Sequence, residues 1–87
     1  MIYFLFSSSN HVKIGYCKYD LENRIKTLQC GCPYELKVLK IINGGISSEK
    51  ELHRKFSQYQ FRGEWFYYTD KIKKYIEEIG GLKHGKA

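Results

Sequence analysis

No apolar run in this sequence approaches the roughly 18 residues that a membrane-spanning helix needs. The apolar start, Met1 to Phe6, carries no basic flank and turns polar at Ser7, so it does not read as a secretory signal. An intracellular protein with no membrane partner is expected. Cysteine is sparse and odd in number: Cys17, Cys30 and Cys32 cannot form a disulfide framework. Cys30-Gly31-Cys32 is C-x-C, and no C-x-x-C pair of the kind that structural zinc sites use is present. Reduced, partly buried thiols are the expected state. Internal repeats, linkers and low-complexity runs are also lacking.

What is present describes a small, aromatic, basic domain. The 87 residues leave room for one domain, read here as residues 1–80, with 81–87 a flexible basic tail. A chain of this length buries only about 60–65% of its unfolded surface. The 16% aromatic content compensates, because each ring buries a large area. A net charge of +6 favours a polyanionic partner, nucleic acid ahead of an anionic membrane surface.

Ile2–Phe6 and His11–Tyr16 read as two strands joined by the polar turn Ser7-Ser8-Ser9-Asn10. Alternation puts Ile2, Phe4 and Phe6 on one face and Tyr3 and Leu5 on the other. In simple register Tyr3 and Lys13 share a face. Asp20 is an N-cap for a helix running to about Gln29, with Leu21, Ile25 and Leu28 as its apolar stripe. Arg24 falls within that stripe, where an arginine either snorkels at the edge or faces a polar site. Tyr34–Asn43 reads as a third strand, apolar on both faces and so expected to be central.

Ser48-Glu49-Lys50-Glu51 fits a capping box opening a second helix to about Tyr59. Its stripe is Leu52, Phe56 and Tyr59, and Glu49 and His53 stack on the same side. Gln60–Glu64 reads as a loop and Trp65–Tyr68 as a short extended segment. A last helix, capped by Asp70, packs through Ile72, Tyr75, Ile76 and Ile79.

Singly, these polar residues have ordinary explanations: a first-turn acid on the helix dipole for Glu49, a core-edge histidine for His53. Together, a phenol, a lysine, an arginine, a carboxylate and a histidine on inward positions of two strands and two helices suit phosphodiester hydrolysis. A carboxylate can hold a divalent metal. An arginine can clamp a phosphate. A phenol can deprotonate or position water if a cation lowers its pKa, and Lys13 is the candidate cation.

The ordered set resembles the GIY-YIG nuclease superfamily, in its small stand-alone phage- and virus-type branch. Ile2-Tyr3 followed by Lys13-Ile14-Gly15 is similar to the paired signature. Arg24 matches the family arginine, Glu49-x-x-Leu52-His53 its metal-binding glutamate, and Gly63-Glu64-Trp65-Phe66 the ending of the small branch. Met1 stands where the first glycine would be, and Lys13 where the second tyrosine usually is. The late asparagine of many members has no counterpart, although Glu64 is near that region and otherwise reads as one half of a loop salt bridge.

The resemblance implies an α+β fold: a small three-stranded antiparallel sheet flanked by helices, in the order β-β-α-β-α-(short extended)-α. It implies a metal-dependent DNA endonuclease using Mg²⁺ or Mn²⁺. Tyr3 would be base or water positioner, Arg24 would hold the phosphate, Glu49 the metal, and Lys13 and His53 would assist. Arg24, Lys13, Lys18 and Arg62 are the expected nucleic-acid contacts. Sequence specificity would come from a homodimer or a separate targeting partner. The alternative is a catalytically inactive nucleic-acid-binding or protein-interaction module with the same fold.

Overall fold

A computed structural model describes residues 1–80; the basic tail expected at 81–87 lies outside the described residues. Eight elements follow one another: β1 (Ile2–Ser7), β2 (His11–Tyr16), α1 (Leu21–Cys30), β3 (Leu36–Ile42), α2 (Ile46–Lys55), β4 (Gln60–Arg62), β5 (Trp65–Tyr67) and α3 (Asp70–Glu78). A single 3₁₀ turn, Ser57–Tyr59, separates α2 from β4.

The fold is α+β, but its sheet has five antiparallel strands in the order β3-β1-β2-β5-β4, not the three expected. The extra two are the loop and the extended segment of the sequence. They form a hairpin of three-residue strands in which Arg62 pairs with Trp65. Gly63 occupies the first turn position at φ 54°, a conformation that costs a glycine little. Ile14 N donates to Glu64 O at 3.0 Å and β5 pairs with His11–Lys13, which docks this hairpin on β2. Strands this short present too few positions for alternation to show.

The first hairpin pairs as expected, with Tyr3 opposite Gly15 and Leu5 opposite Lys13, so all four share a face. β1 is the strand covered on both sides: Ile2, Tyr3, Phe4 and Leu5 are all buried. One face holds Ile2, Phe4, Val12, Ile14 and Phe66 against Leu52 and Phe56 of α2 and Ile72 and Ile76 of α3. The other holds Tyr3 and Leu5 with Cys17, Ile41 and Leu21 of α1.

β3 lies at the sheet's edge, not its centre. Its two apolar faces have another cause. Phe4 pairs with Lys40 and Leu5 with Val38, which leaves Leu39 as an extra residue. That bulge switches the alternation. Leu36, Val38 and Ile41 face the α1 side, while Leu39 and Ile42 face the α2/α3 side.

The second helix ends at Lys55, short of the expected Tyr59, and two helix starts also differ from expectation. Ser48 is not a cap: α2 begins at Ile46 after Gly45, with no side-chain cap. Gly44 packs so closely that an added Cβ would lie 3.0 Å from both Ile2 and Ser48, so Ser48 sits inside the helix against that turn. Thr69, not Asp70, caps α3, its hydroxyl accepting from Ile72 N at 3.4 Å. Asp20 does cap α1, in a left-handed conformation, accepting from Asn23 N at 3.2 Å.

Candidate functional site

Tyr3 is the centre of the site, and Gly15 makes its position possible. The tyrosine ring lies flat over the glycine opposite it on β2. A Cβ at Gly15 would stand 2.5 Å from both the ring Cζ and the hydroxyl oxygen, which no neighbour tolerates. A glycine inside a strand marks such close approaches, a signal present in the sequence but not drawn from it. The ring is buried, at 1% exposure, yet its hydroxyl makes no hydrogen bond among the described residues. No buried polar side-chain atom there lacks a partner, so the hydroxyl oxygen itself reaches solvent.

Four ionisable groups act on that hydroxyl. Burial pushes its pKa up to about 12; Arg24 pulls it down, and Glu64, the Cys17 thiol and Glu49 push it up. Arg24 is exposed on α1, and Glu49 is half-buried in the first turn of α2, its N–H bonded to Gly45 O at 3.1 Å. Arg24 of α1 and Glu49 of α2 thus each act electrostatically on Tyr3 of β1.

Glu49 acts on Tyr3 from a helix whose apolar residues pack on the other side of the sheet. However, β5 covers β2 only as far as Lys13, so the edge beside Gly15 and Tyr16 is free of a strand. α2 lies along β2 there, tied by His53, whose Nε2–H donates to Ile14 O at 2.7 Å. That bond, and a Phe66 ring 5.2 Å from the imidazole, occupy His53 in positioning α2.

Lys13 is also committed elsewhere. Its ammonium is 2.9 Å from the Glu64 carboxylate, the only ion pair among the described residues, and 5.7 Å from the Trp65 ring centroid. Arg24, not Lys13, is the cation that lowers the Tyr3 pKa, and desolvation outweighs it. Lys18 is exposed with its ammonium 5.3 Å from the Tyr19 ring, and Arg62 is exposed on β4, away from Tyr3.

The described residues contain no group of three or more histidine, cysteine, aspartate or glutamate side chains that could hold a metal ion. Glu49, unpaired with any cation among them, offers one hard oxygen donor. Magnesium is commonly held by one or two carboxylates, with water and substrate phosphates completing the shell.

A family model described as the T5orf172 domain matches residues 1–80. The chain belongs to the T5orf172 domain family. That domain is phage-associated and related to nuclease-type domains. No curated protein and no solved structure gives a significant match to the chain. No helix among the described residues of this T5orf172 domain is long and apolar enough to cross a membrane.

Proposed function

We propose that this T5orf172 domain is a metal-dependent DNA endonuclease of the GIY-YIG type. The observation that supports the proposal is that Arg24 of α1 and Glu49 of α2 both act electrostatically on the Tyr3 hydroxyl, beside a stretch of β2 that β5 leaves uncovered. A hydroxyl, a guanidinium and a carboxylate are what a phosphodiester and its attacking water require.

The roles follow from the environments. Arg24, exposed and unpaired among the described residues, binds the scissile phosphate through its planar fork. Tyr3, with its pKa raised, is neutral near pH 7. It therefore orients water or donates to a phosphate oxygen, and positioning describes it better than general base. Gly15 and the surrounding core hold the ring in one orientation, so little reorganisation accompanies reaction. Glu49 holds Mg²⁺ or Mn²⁺. That ion, when bound, polarises a phosphate oxygen and offsets developing charge. His53 fixes the helix that carries Glu49, and the Lys13–Glu64 pair anchors the β4–β5 turn to β2.

A second reading, an inactive nucleic-acid-binding module, draws on the raised Tyr3 pKa and the single carboxylate. Supercoiled plasmid incubated with the protein in Mg²⁺, in Mn²⁺ and in EDTA separates the two. Nicking that EDTA abolishes is the expected result. A mobility shift without nicking would leave the binding module, and neither would leave a protein-interaction domain.

A further inference from the structure

The α1 face of the sheet is covered on one half only. Leu21, Ile25 and Leu28 of α1 pack over the β1 and β3 residues Leu5, Leu36, Val38 and Ile41. Past Lys13, over β2 and β5, the same face carries a cavity of about 310 Å³ lined by Ser7, Ser9, His11, Tyr34, Phe61 and Trp65. Its walls are aromatic. His11 stacks on Phe61 with centroids 4.3 Å apart, and Phe61 and Tyr34 are each about half exposed, at 51% and 49%.

Its rim is polar and ordered. The Ser7 and Ser9 hydroxyls are 2.8 Å apart, and Ser9 Oγ shares a hydrogen bond of 2.9 Å with His11 Nδ1. This relay sets the imidazole plane and leaves Nε2 without a partner among the described residues. A free cation among the described residues shares this face: Arg62, exposed, pairs in register with Trp65, whereas Lys13, beside the cavity, is held by Glu64 at 2.9 Å.

We infer that this cavity holds an unpaired nucleobase of a DNA strand whose backbone crosses the open face past Lys13 toward Tyr3. The occupant follows from the chemistry. The half-exposed rings of Phe61 and Tyr34 offer flat surfaces to the π-face of any base, and base–aromatic stacking works in this way in single-strand binding. The serine–histidine rim meets the polar edge of the base, and Arg62, outside the one ion pair among the described residues, meets its phosphates. An apolar peptide would use the walls but not the rim or the charge. The inference rests on the nuclease reading for the position of the scissile phosphate, and makes that reading specific for DNA with a single-stranded or unstacked stretch beside the cut.

Trp65 is the only tryptophan in the chain, so its fluorescence reports on this cavity directly. The full chain is titrated in EDTA, where nothing is cleaved, with a single-stranded oligothymidine of about six nucleotides and with a blunt duplex. The single strand should quench Trp65 saturably, and the duplex should leave it nearly unchanged. Phe61→Ala should weaken single-strand binding by about 5–150-fold, the usual loss of one stacked base. Tyr34→Ala, outside every strand, should do the same and keeps the test alive if Phe61→Ala disturbs β4. Equal quenching by the duplex, or single-strand affinity unchanged in both variants, would overturn the inference. Quenching in a protein that never nicks plasmid removes the nuclease reading and keeps the cavity. Nicking without quenching removes the cavity alone.

Discussion

Phe4 and Tyr3 are neighbours on β1, equally buried, and they point to opposite sides of the sheet. Phe4 enters a core of hydrocarbon and aromatic side chains that two helices close. Tyr3 enters a face that a single helix covers in part, where a thiol, a guanidinium and two carboxylates act on its hydroxyl. The stabilising burial is concentrated on the Phe4 side, where Phe66, Ile14, Val12 and Ile72 are fully enclosed. That division leaves the Tyr3 side able to hold charged groups unpaired, a condition that a small domain with one shared core could not tolerate. Lys13 and Glu64 show the ordinary alternative on the same face: a pair that neutralises itself, its lysine 13% exposed and its glutamate 42%.

The sharpest way to separate the two sides is to remove function and keep the fold. Glu49→Gln preserves shape and removes the charge that holds a hard cation. Plasmid nicking should fall below detection while DNA binding survives or tightens, since a negative charge has left a phosphate site. Tyr3→Phe keeps the carboxylate, removes the hydroxyl that positions water or donates to phosphate, and should cost about 10²–10⁴-fold. Single-turnover nicking of both variants beside a binding titration decides this. A Glu49→Gln variant that cuts at the wild-type rate would reduce Glu49 to a helix-terminus charge.

The converse is to break the fold from one side. Phe66→Ala empties part of the closed core and should cost about 3–5 kcal/mol in denaturant unfolding. Gly15→Ala acts through the site: its Cβ would collide with the Tyr3 ring. Overpacking of this kind costs about 1–3 kcal/mol. Gly15→Ala should therefore destabilise less than Phe66→Ala yet lose activity to about the Tyr3→Phe level. If Gly15→Ala nicks normally, the ring is not held by that glycine in the way described.

Tyr3 and the residues that act on its hydroxyl stand out locally in the sequence: an arginine within an apolar stripe, a first-turn glutamate in line with Leu52, a phenol alternating with Leu5. The architecture around them was less legible. Strands β4 and β5 are three residues each and became strands by docking on β2, a tertiary event with no periodicity of its own. The bulge at Leu39 mimics a central strand, because switching faces within an edge strand also yields apolar residues on both sides. Ser48-x-x-Glu51 satisfies the capping pattern, but packing of Gly44 against Ile2 moved the helix start. His53 and Lys13 looked available because nothing local shows that Ile14 O and Glu64 already engage them.

The smallest expected effect tests the comparison most directly, because it asks whether the charges on the open side feel one another at all. Tyr3 is an acid whose neutral form the folded state favours, with a pKa of about 12 against 10.0 for an ordinary tyrosine. Between those values the unfolded chain gives up the proton first, so the unfolded state binds fewer protons and stability falls as pH rises through that window. Below pH 10 the group contributes no pH dependence. In Tyr3→Phe the decline between pH 10 and 12 should flatten. A carbon-13 label on the tyrosine Cζ reads the Tyr3 midpoint itself, assigned by its loss in that variant. Arg24→Ala removes the cation that lowers the midpoint and should move it further up. Glu49→Gln and Glu64→Gln remove anions that raise it and should each move it down. Opposite signs from residues on α1 and α2 require that both helices present their charge to one hydroxyl. A midpoint indifferent to Glu49→Gln would place that carboxylate out of reach beyond the edge of β2, and the open face would then be a phosphate-binding surface without a metal-holding residue.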